Sequence, residues 1–532
     1  MGEPKSPEET GLATSDDAPL EARSVATLGG RVTVRWDETT QATPHGQLVF
    51  FAEFLAVAGV FDEWVDSCPL KYTSGNAPSK RDVLGTLLLG ILAGNTRYAH
   101  ITGIRGDGLA AEALGISRVL SADSVRRALM QIDSEAGATW LRPMLRRSVL
   151  PVLDRPWILD VDVTVKPLYG HQQGAEKSYN PHKPGRPSHA LHTYWVGNVR
   201  QVLDVQLSPG REHTSAHGRA GLAQILDELS PEHRPALVRG DCGYGNEPFI
   251  LECEQRDQPY LFRLRQTSKV KRLLERLFLR CDWSKATEMS QGYEAIEDSL
   301  QLSGWSRARR VVMLRRRARN DLAITRPGAD RTTQLTLALP SDGELCAPLA
   351  WEYIVLVTNT SHELVSIGQL YRDRCDCENG FDELKNQWGW GGFTTQDLAR
   401  NQTMARTIAL IYNWWSWYTR AAHPQARLEA ATSRPLLLAA VGRVVHHAGQ
   451  TVLHLTSLHG KPGLVKSLFR NVVRVLEYVR DAAQQLPSLD QWAAMLRYIV
   501  DRMLGAGSVH QAVALLASPP IRIPGMVTSL SP

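Results

Sequence analysis

The 532-residue chain has no CxxC pair, no internal repeat and no apolar run long enough to cross a bilayer. Its seven cysteines are an odd, scattered set, and none has a histidine or a second cysteine pair at ligand spacing. That excludes a disulfide framework and a thiolate zinc site, and reduced thiols of a cytoplasmic protein are expected. The longest apolar run, Val83 to Gly94, is about a dozen residues, where a membrane helix needs about 20. Residues 1–30 carry Glu3, Glu8, Glu9, Asp16, Asp17 and Glu21 against Lys5 and Arg23. Such a start reads as a disordered acidic tail rather than a secretory signal, and no membrane partner is expected. Net charge is only +5, so how the charge is distributed matters more than its total.

The chain is organised around Tyr371 to Lys385, YRDRCDCENGFDELK. Counted from Tyr371, the residues Arg374, Glu378 and Lys385 are offset by 3, 7 and 14 positions. On one helix at about 100° per residue the four share an arc of roughly 60°. Leu370, Cys377, Phe381 and Leu384 form the neighbouring apolar stripe, which predicts a helix packed on that side. Its polar side would show a carboxylate among a phenol, a guanidinium and an ammonium. Metal-assisted chemistry on a nucleic-acid backbone needs such a set. A solvated face laced with i,i+4 pairs such as Arg374–Glu378 is the alternative.

Spelled Tyr371-x2-Arg374-x3-Glu378-x6-Lys385, the pattern resembles the Tyr-Arg-Glu-Lys signature of bacterial insertion-sequence transposases of the DDE type. The resemblance implies an RNase H-like catalytic domain whose third carboxylate is Glu378. It also requires two upstream aspartates on buried strands. Trp157–Val165, WILDVDVTV, alternates as a strand with Asp160 and Asp162 on one face. The family's Asp-x-Thr context fits Asp162-Val163-Thr164, with Asp160 as the second choice. Ala236–Gly245 is a short apolar strand that delivers Asp241 into a glycine turn. A turn-forming Asp is the plain alternative there. The order strand, strand, strand, helix, strand-Asp is nevertheless the RNase H-like order, with strands at Ala190–Val196 and Val202–Leu207 and a helix at Gly218–Leu229.

The resemblance implies that Asp162, Asp241 and Glu378 are catalytic and hold two Mg²⁺ ions, for which Mn²⁺ can substitute. It further implies that Tyr371, Arg374 and Lys385 grip phosphates. Its expected partners are double-stranded DNA, as terminal inverted repeats and target, and a second copy in a homodimeric synaptic complex. The implied place is the bacterial cytoplasm, at the nucleoid. The expected fold is an α/β RNase H-like catalytic core with a β-strand insertion, flanked by N-terminal and C-terminal all-α regions. A catalytically silent, domesticated DNA-binding protein is the alternative, and it fits less well because all three acids are present.

Domain boundaries follow from composition. Residues 1–30 are the tail and 31–150 a helical domain, which the resemblance implies binds the DNA ends. Within it helices are expected at Gln47–Val65, Arg81–Ala93 and Gly108–Leu114, followed by one that exposes Arg126 and Arg127 to DNA or, equally, edges a small bundle. Residues 151–265 and 361–400 make the core. The Gly/Pro-rich loop after Pro167 holds Lys183 and Arg186 for phosphate contact. Residues 266–360 are the β insertion, with strands expected at Ser299–Leu302, Arg309–Leu314, Gln334–Leu339 and Tyr353–Val357. It carries Arg307, Arg309, Arg310, Arg315, Arg316, Arg317 and Arg319 with no acid between the first and the last. Crowded cations repel unless a polyanion is near, which assigns Arg315, Arg316 and Arg317 to DNA. Trp305, just upstream, is either a base-stacking residue of the family's kind or a core tryptophan. Residues 401–532 are a helical region, with helices expected at Gln402–Trp417, Leu436–His447, Val465–Ala482 and Leu489–Leu504.

Overall fold

The fold comes from a computed structural model that describes residues 22–505, except 73, 179, 181–182, 212–213, 286–291, 318–350, 458 and 484–485. The expected strand at Gln334–Leu339 and Arg319 lie outside the described residues. The N-terminal part holds β1 (Arg23–Thr27), β2 (Gly30–Val34), β3 (Gln41–Thr43), α1 (Leu48–Val57), α2 (Val60–Asp66), α3 (Lys80–Leu92), α4 (Ala110–Leu114), α5 (Ala122–Leu129) and α6 (Ser134–Val149). The middle runs β4 (Ile158–Pro167), β5 (Glu176–Lys177), β6 (Pro187–Val196), β7 (Gln201–Pro209), α7 (Thr214–Glu228), β8 (Leu237–Gly240), α8 (Glu247–Glu254), β9 (Tyr260–Arg263) and α9 (Ser268–Phe278). Then follow β10 (Glu294–Leu300), β11 (Arg309–Arg317), β12 (Trp351–Thr358), α10 (Leu364–Arg372) and α11 (Cys375–Gln387). The chain closes through α12 (Leu398–Ala422), α13 (Ala430–Leu437), β13 (Gly442–His447), β14 (Gln450–Leu455), α14 (Pro462–Ala483) and α15 (Ser488–Gly505).

One mixed sheet organises these elements, in the order β10-β11-β12-β9-β8-β4-β6, with β5 and β7 both paired to β6. β4, β8 and β9 are mutually parallel, and every other pairing is antiparallel. Runs such as ILDVDV suit the centre of this sheet, because β-branched side chains pack well on a pleated surface. β4 is buried through its first five residues. The strands of the expected insertion join the same sheet, with β12 pairing on β9, and a helix, α9, precedes them. One hydrophobic cluster runs from α1 through the sheet to α15, and the 25-residue α12 lies within it, buried over nearly its full length. No helix among the described residues is long and apolar enough to cross a membrane.

Four expectations need correction. The single helix through Tyr371 and Lys385 is two helices, because the backbone steps through a turn at Asp373–Arg374. The helix expected over Gln47–Val65 is also two, split where Gly59 takes φ 63°. The helix expected at Leu436–His447 ends at Leu437, and the rest is strand β13, as the β-branched and histidine run GRVVHH favours. The flanks are therefore not all helical: β3 pairs with β13, and β13 with β14, in a sheet shared by both flanks.

The arginine run of β11 also behaves differently from expectation. Arg309 is 2% exposed and donates to Glu247 at 2.6 Å and Glu254 at 2.8 Å, both on α8. Arg310 reaches Glu297 and the carbonyls of Thr360 and His362. Arg315 donates to Glu294 at 2.7 Å and lies 3.7 Å from the Trp283 ring centroid and 4.7 Å from that of Trp351. Arg316 pairs with Glu352 at 2.6 Å. The acids absent from the local sequence arrive from neighbouring strands and from α8, so repulsion among these arginines calls for no polyanion. Arg317 is exposed. Arg315→Ala should therefore cost about 2–3 kcal/mol of stability by stranding Glu294 and losing the aromatic contacts. Arg317→Ala should stay within about 0.5 kcal/mol. Denaturant unfolding of both variants tests this, and equal midpoints would return Arg315 to the surface role.

Candidate active site

The site is assembled by strand register. β4 and β8 pair in parallel with Asp160 opposite Arg239 and Val161 opposite Gly240. Carried one residue further, the same register sets Asp162, midway along β4, beside Asp241, the first residue after β8. Both pairs are 79 residues apart in sequence. Asp241 then opens a tight turn, its Oδ1 accepting the Gly243 N–H at 2.8 Å.

The two aspartates of β4 have different surroundings. Asp160 is 1% exposed and takes a fork from Arg239, with Nε to Oδ1 and Nη2 to Oδ2 both at 2.6 Å. Arg239 also donates to the Leu370 carbonyl at the end of α10, and the Cys377 thiol of α11 donates to Asp160 Oδ2 at 3.2 Å. Every oxygen of Asp160 is thus engaged in joining sheet to helices. Asp162 is 8% exposed and accepts Arg374 Nη2 at 2.7 Å on one oxygen and its neighbour's Val163 N–H at 2.8 Å on the other. Burial pushes its carboxyl up to about 6, against the pull of Arg374 and with added repulsion from Asp241 and Glu378.

Arg374 sits at the turn between α10 and α11. It is 7% exposed, and its Nη1 also lies 3.9 Å from Glu378 Oε1. The guanidinium therefore bridges the strand acid and the helix acid. Glu378 itself points outward, 69% exposed. Tyr371 is buried, which raises its phenol, while Arg374 and Arg263 pull it down and Asp241 raises it further. Burial lowers the Lys385 ammonium, and the Asp382 and Asp162 carboxylates oppose that shift. Gly380 lets α11 seat this closely, since a Cβ there would lie 2.8 Å from the Trp195 ring of β6. Asp162, Asp241, Glu378, Tyr371, Arg374 and Lys385 thus share one electrostatic neighbourhood.

The sequence matches the model of the family "Transposase DDE domain group 1" over residues 75–480, well over half of its length. The chain belongs to the DDE transposase family. No curated protein matches the sequence. Among solved structures it is similar to the cryo-EM structure of the piggyBac transposase synaptic complex with hairpin DNA, at 11% identity and a TM-score of 0.34, covering 88% of each chain.

Members of this family generally work with divalent metal ions. Among the described residues of this transposase, no three His, Cys, Asp or Glu side chains stand close enough together to hold one. Donor type nonetheless fits a hard divalent cation, since Asp162, Asp241 and Glu378 all offer carboxylate oxygens and the charges of Asp241 and Glu378 both act on Asp162.

The remaining residues expected at the site lie apart from this group. Trp305 is 7% exposed, with the Arg309 guanidinium 5.1 Å from its ring centroid. It borders a cavity of about 500 Å³ that also exposes Cys242 and Gly243, next to Asp241. Arg315 and Arg316 are engaged as described above. Lys183 and Arg186 gather on the exposed ring of Tyr169, 4.8 and 4.7 Å from its centroid. Arg126 and Arg127 lie on the open side of α5, and Arg126 pairs with Asp123 at 3.5 Å. Sequence reading missed Arg239, Tyr169 and Arg263. The signal for Arg239 was an arginine inside an apolar strand at the same 79-residue offset from Asp160 that separates the two candidate acids.

These surroundings predict opposite costs for neighbouring carboxylates. Asp160→Ala leaves Arg239 buried and unpaired and should cost about 3–5 kcal/mol. Asp162→Ala removes a carboxylate that its surroundings disfavour, and Arg374 keeps Glu378, so its cost should be under half of that. Calorimetry of both variants without added metal decides, and equal losses would sink the distinction.

Proposed function

We propose that this chain is the transposase of a bacterial insertion sequence carrying the Tyr-Arg-Glu-Lys signature. It cuts transposon ends and joins the freed 3′-hydroxyl to target DNA on an RNase H-like core. The observation that carries the reading is the register that sets Asp162 beside Asp241 while Arg374 ties Asp162 to Glu378. The RNase H-like reading is supported by three antiparallel strands, β4, β6 and β7, followed by a helix and the parallel strand β8, which ends just before Asp241. The further strands β10 to β12 are read as the insertion of that subgroup, within proposed boundaries of 266–360.

Asp162, Asp241 and Glu378 would hold two Mg²⁺ or Mn²⁺ ions. Glu378 comes to them by rotation of an exposed side chain whose one partner among the described residues, Arg374, is 3.9 Å away. When bound, such ions activate the attacking oxygen and stabilise the leaving one. The chain's own groups handle the phosphate. Arg374 presents a planar fork to the non-bridging oxygens, and Lys385, in reach of the same carboxylate, adds a second cation. Tyr371, kept protonated by burial, offers its phenolic O–H as a hydrogen-bond donor to a phosphate oxygen. Water attacks phosphorus, and the bond to the 3′-oxygen breaks to leave a 3′-hydroxyl. That hydroxyl then attacks a target phosphodiester, whose own bond from phosphorus to the 3′-oxygen breaks to leave a target 3′-hydroxyl as the new bond forms. Two copies would act together on double-stranded DNA, one at each terminal repeat.

Asp162→Ala, Asp241→Ala and Glu378→Ala should each abolish Mg²⁺-dependent nicking of end DNA while binding of that DNA persists. If Asp162→Ala nicked normally, the first carboxylate would be misassigned. A catalytically silent, domesticated protein is the reading that survives if the wild type binds ends but never nicks them.

For the phosphate groups, Arg374→Ala and Lys385→Ala should keep the fold yet lose cleavage by orders of magnitude, since misplacing a phosphate by about 1 Å can cost roughly 100-fold. Arg374→Lys should also fail, because an ammonium lacks the fork. Wild-type nicking by a folded double variant would return both residues to structural roles.

A further inference from the structure

Between Glu429 and Glu477 the sequence contains no Asp or Glu over residues 430–476. The same stretch holds Arg434, Arg443, Lys461, Lys466, Arg470 and Arg474, with His446, His447, His454 and His459. Arg434 is spent inside, donating to the carbonyls of Gln387 and Ile91. The other five cations are exposed. None of them forms an ion pair among the described residues. This reverses the situation in β11, where nearly every arginine found an acid from another element.

Geometry groups the free cations. Lys466, Arg470 and Arg474 recur every four residues on α14, so they stand in one row with about 6 Å of rise between neighbours. Beside them β13 and β14 form a two-stranded hairpin, turned by Ala448 and Gly449 at φ 50° and 75°. Both central residues at positive φ give the tight turn that suits a twisted ribbon. Arg443 pairs across it with His454 and His447 with Gln450, on the face opposite the buried Val444. β3 pairs by its backbone only as far as Val444; beyond it His446 still reaches Gln41 and Glu112, so the open face of the hairpin is the one that carries Arg443 and His447.

We propose that this hairpin and the α14 row form a second duplex-DNA surface of the transposase, distinct from the active site. The ribbon enters a major groove, whose width of about 12 Å admits a two-stranded ribbon. Lys466, Arg470 and Arg474 lie along the flanking phosphates. The row also walls a groove of about 880 Å³ floored by Phe50, Leu455 and Phe469. Its apolar floor takes no phosphate, so contact is assigned to the cationic rim. A polyanion is the partner that unpaired cations in an acid-free stretch fit, since each neutralised phosphate releases counterions. The inference rests on the reading of the chain as a DNA transposase, but not on the assignment of its carboxylates.

The test measures affinity of the full chain for a fluorescent duplex of mixed sequence at salt concentrations from about 50 to 200 mM. Lys466→Ala, Arg470→Ala and Arg474→Ala combined should weaken binding at least about tenfold and flatten the salt slope by about 2 to 3. The charge-keeping pair Arg470→Lys, Arg474→Lys should retain the slope. Arg443→Ala with His447→Ala should weaken binding through the ribbon alone. At saturating DNA the triple variant should still nick, which separates this surface from the catalytic groups. Unchanged affinity and slope in a folded triple variant would overturn the proposal. So would a loss of self-association, seen by sedimentation, with DNA binding intact. If Asp162→Ala nicks normally while the triple variant loses affinity, the catalytic assignment falls and this one stands.

Discussion

Everything at the candidate site hangs on the buried pair of Asp160 and Arg239. A guanidinium and a carboxylate with almost no exposure are tolerable only when geometry and hydrogen bonding are nearly complete. Here they are: both carboxylate oxygens take a guanidinium nitrogen at 2.6 Å, Arg239 Nη1 reaches the Leu370 carbonyl, and the Cys377 thiol donates to Asp160. The pair therefore locks β4 to β8 in one register and fastens the α10–α11 corner onto both. A slip of one residue would strand a buried charge and turn every β4 side chain to the opposite face. Two residues beyond each member of this pair come Asp162 and Asp241. Their adjacency is a consequence of the lock, and so is the arrival of Arg374 on Asp162.

A second lock holds the other end of α11. Glu383 is 2% exposed, with one oxygen accepting Trp388 Nε1 at 3.2 Å and the Ala430 N–H at 3.1 Å, and the other taken by Arg427. The helix that presents Glu378 and Lys385 is thus pinned to the sheet near its start and to α13 near its end. Lys166, buried on β4, adds a bond to the Gly392 carbonyl at 2.6 Å just past that helix. Only the outward side, with Glu378, is left able to move.

How much of this was legible depended on whether the deciding interaction was local. The period-two run of β4, the strand and turn at Asp241 and the order of elements could be read directly, because each reflects backbone preference over a few residues. The apolar stripe of Leu370, Cys377, Phe381 and Leu384 was read correctly, and all four are buried. No Pro or Gly marks the turn at Asp373–Arg374, so the sequence shows one unbroken helix there; in the fold Arg239 donates to the Leu370 carbonyl just before the break. Charge proved the least legible feature. Arg309 looked free because its acids lie 55 and 62 residues away. The acid-free stretch at 430–476 was there to be seen, but its hairpin was hidden under a helical expectation.

Charge arithmetic then connects the two ends of the molecule. At the candidate site three carboxylates, Asp162, Asp241 and Glu378, face three cations, Arg374, Lys385 and Arg263, the last acting on Tyr371. Such a site is close to neutral, and Asp162 is already satisfied by Arg374 at 2.7 Å. It exerts little long-range pull on a phosphodiester, and a polyanion approaching the acids meets repulsion unless further positive charge comes with it. Capture and chemistry therefore make opposite demands on one surface. A chain that must hold acids at the reacting centre does better to draw the duplex with cations placed elsewhere, where no carboxylate cancels them. In this fold those cations are found on α14 and its hairpin rather than in the arginine-rich β11, where the fold has spent them on its own acids.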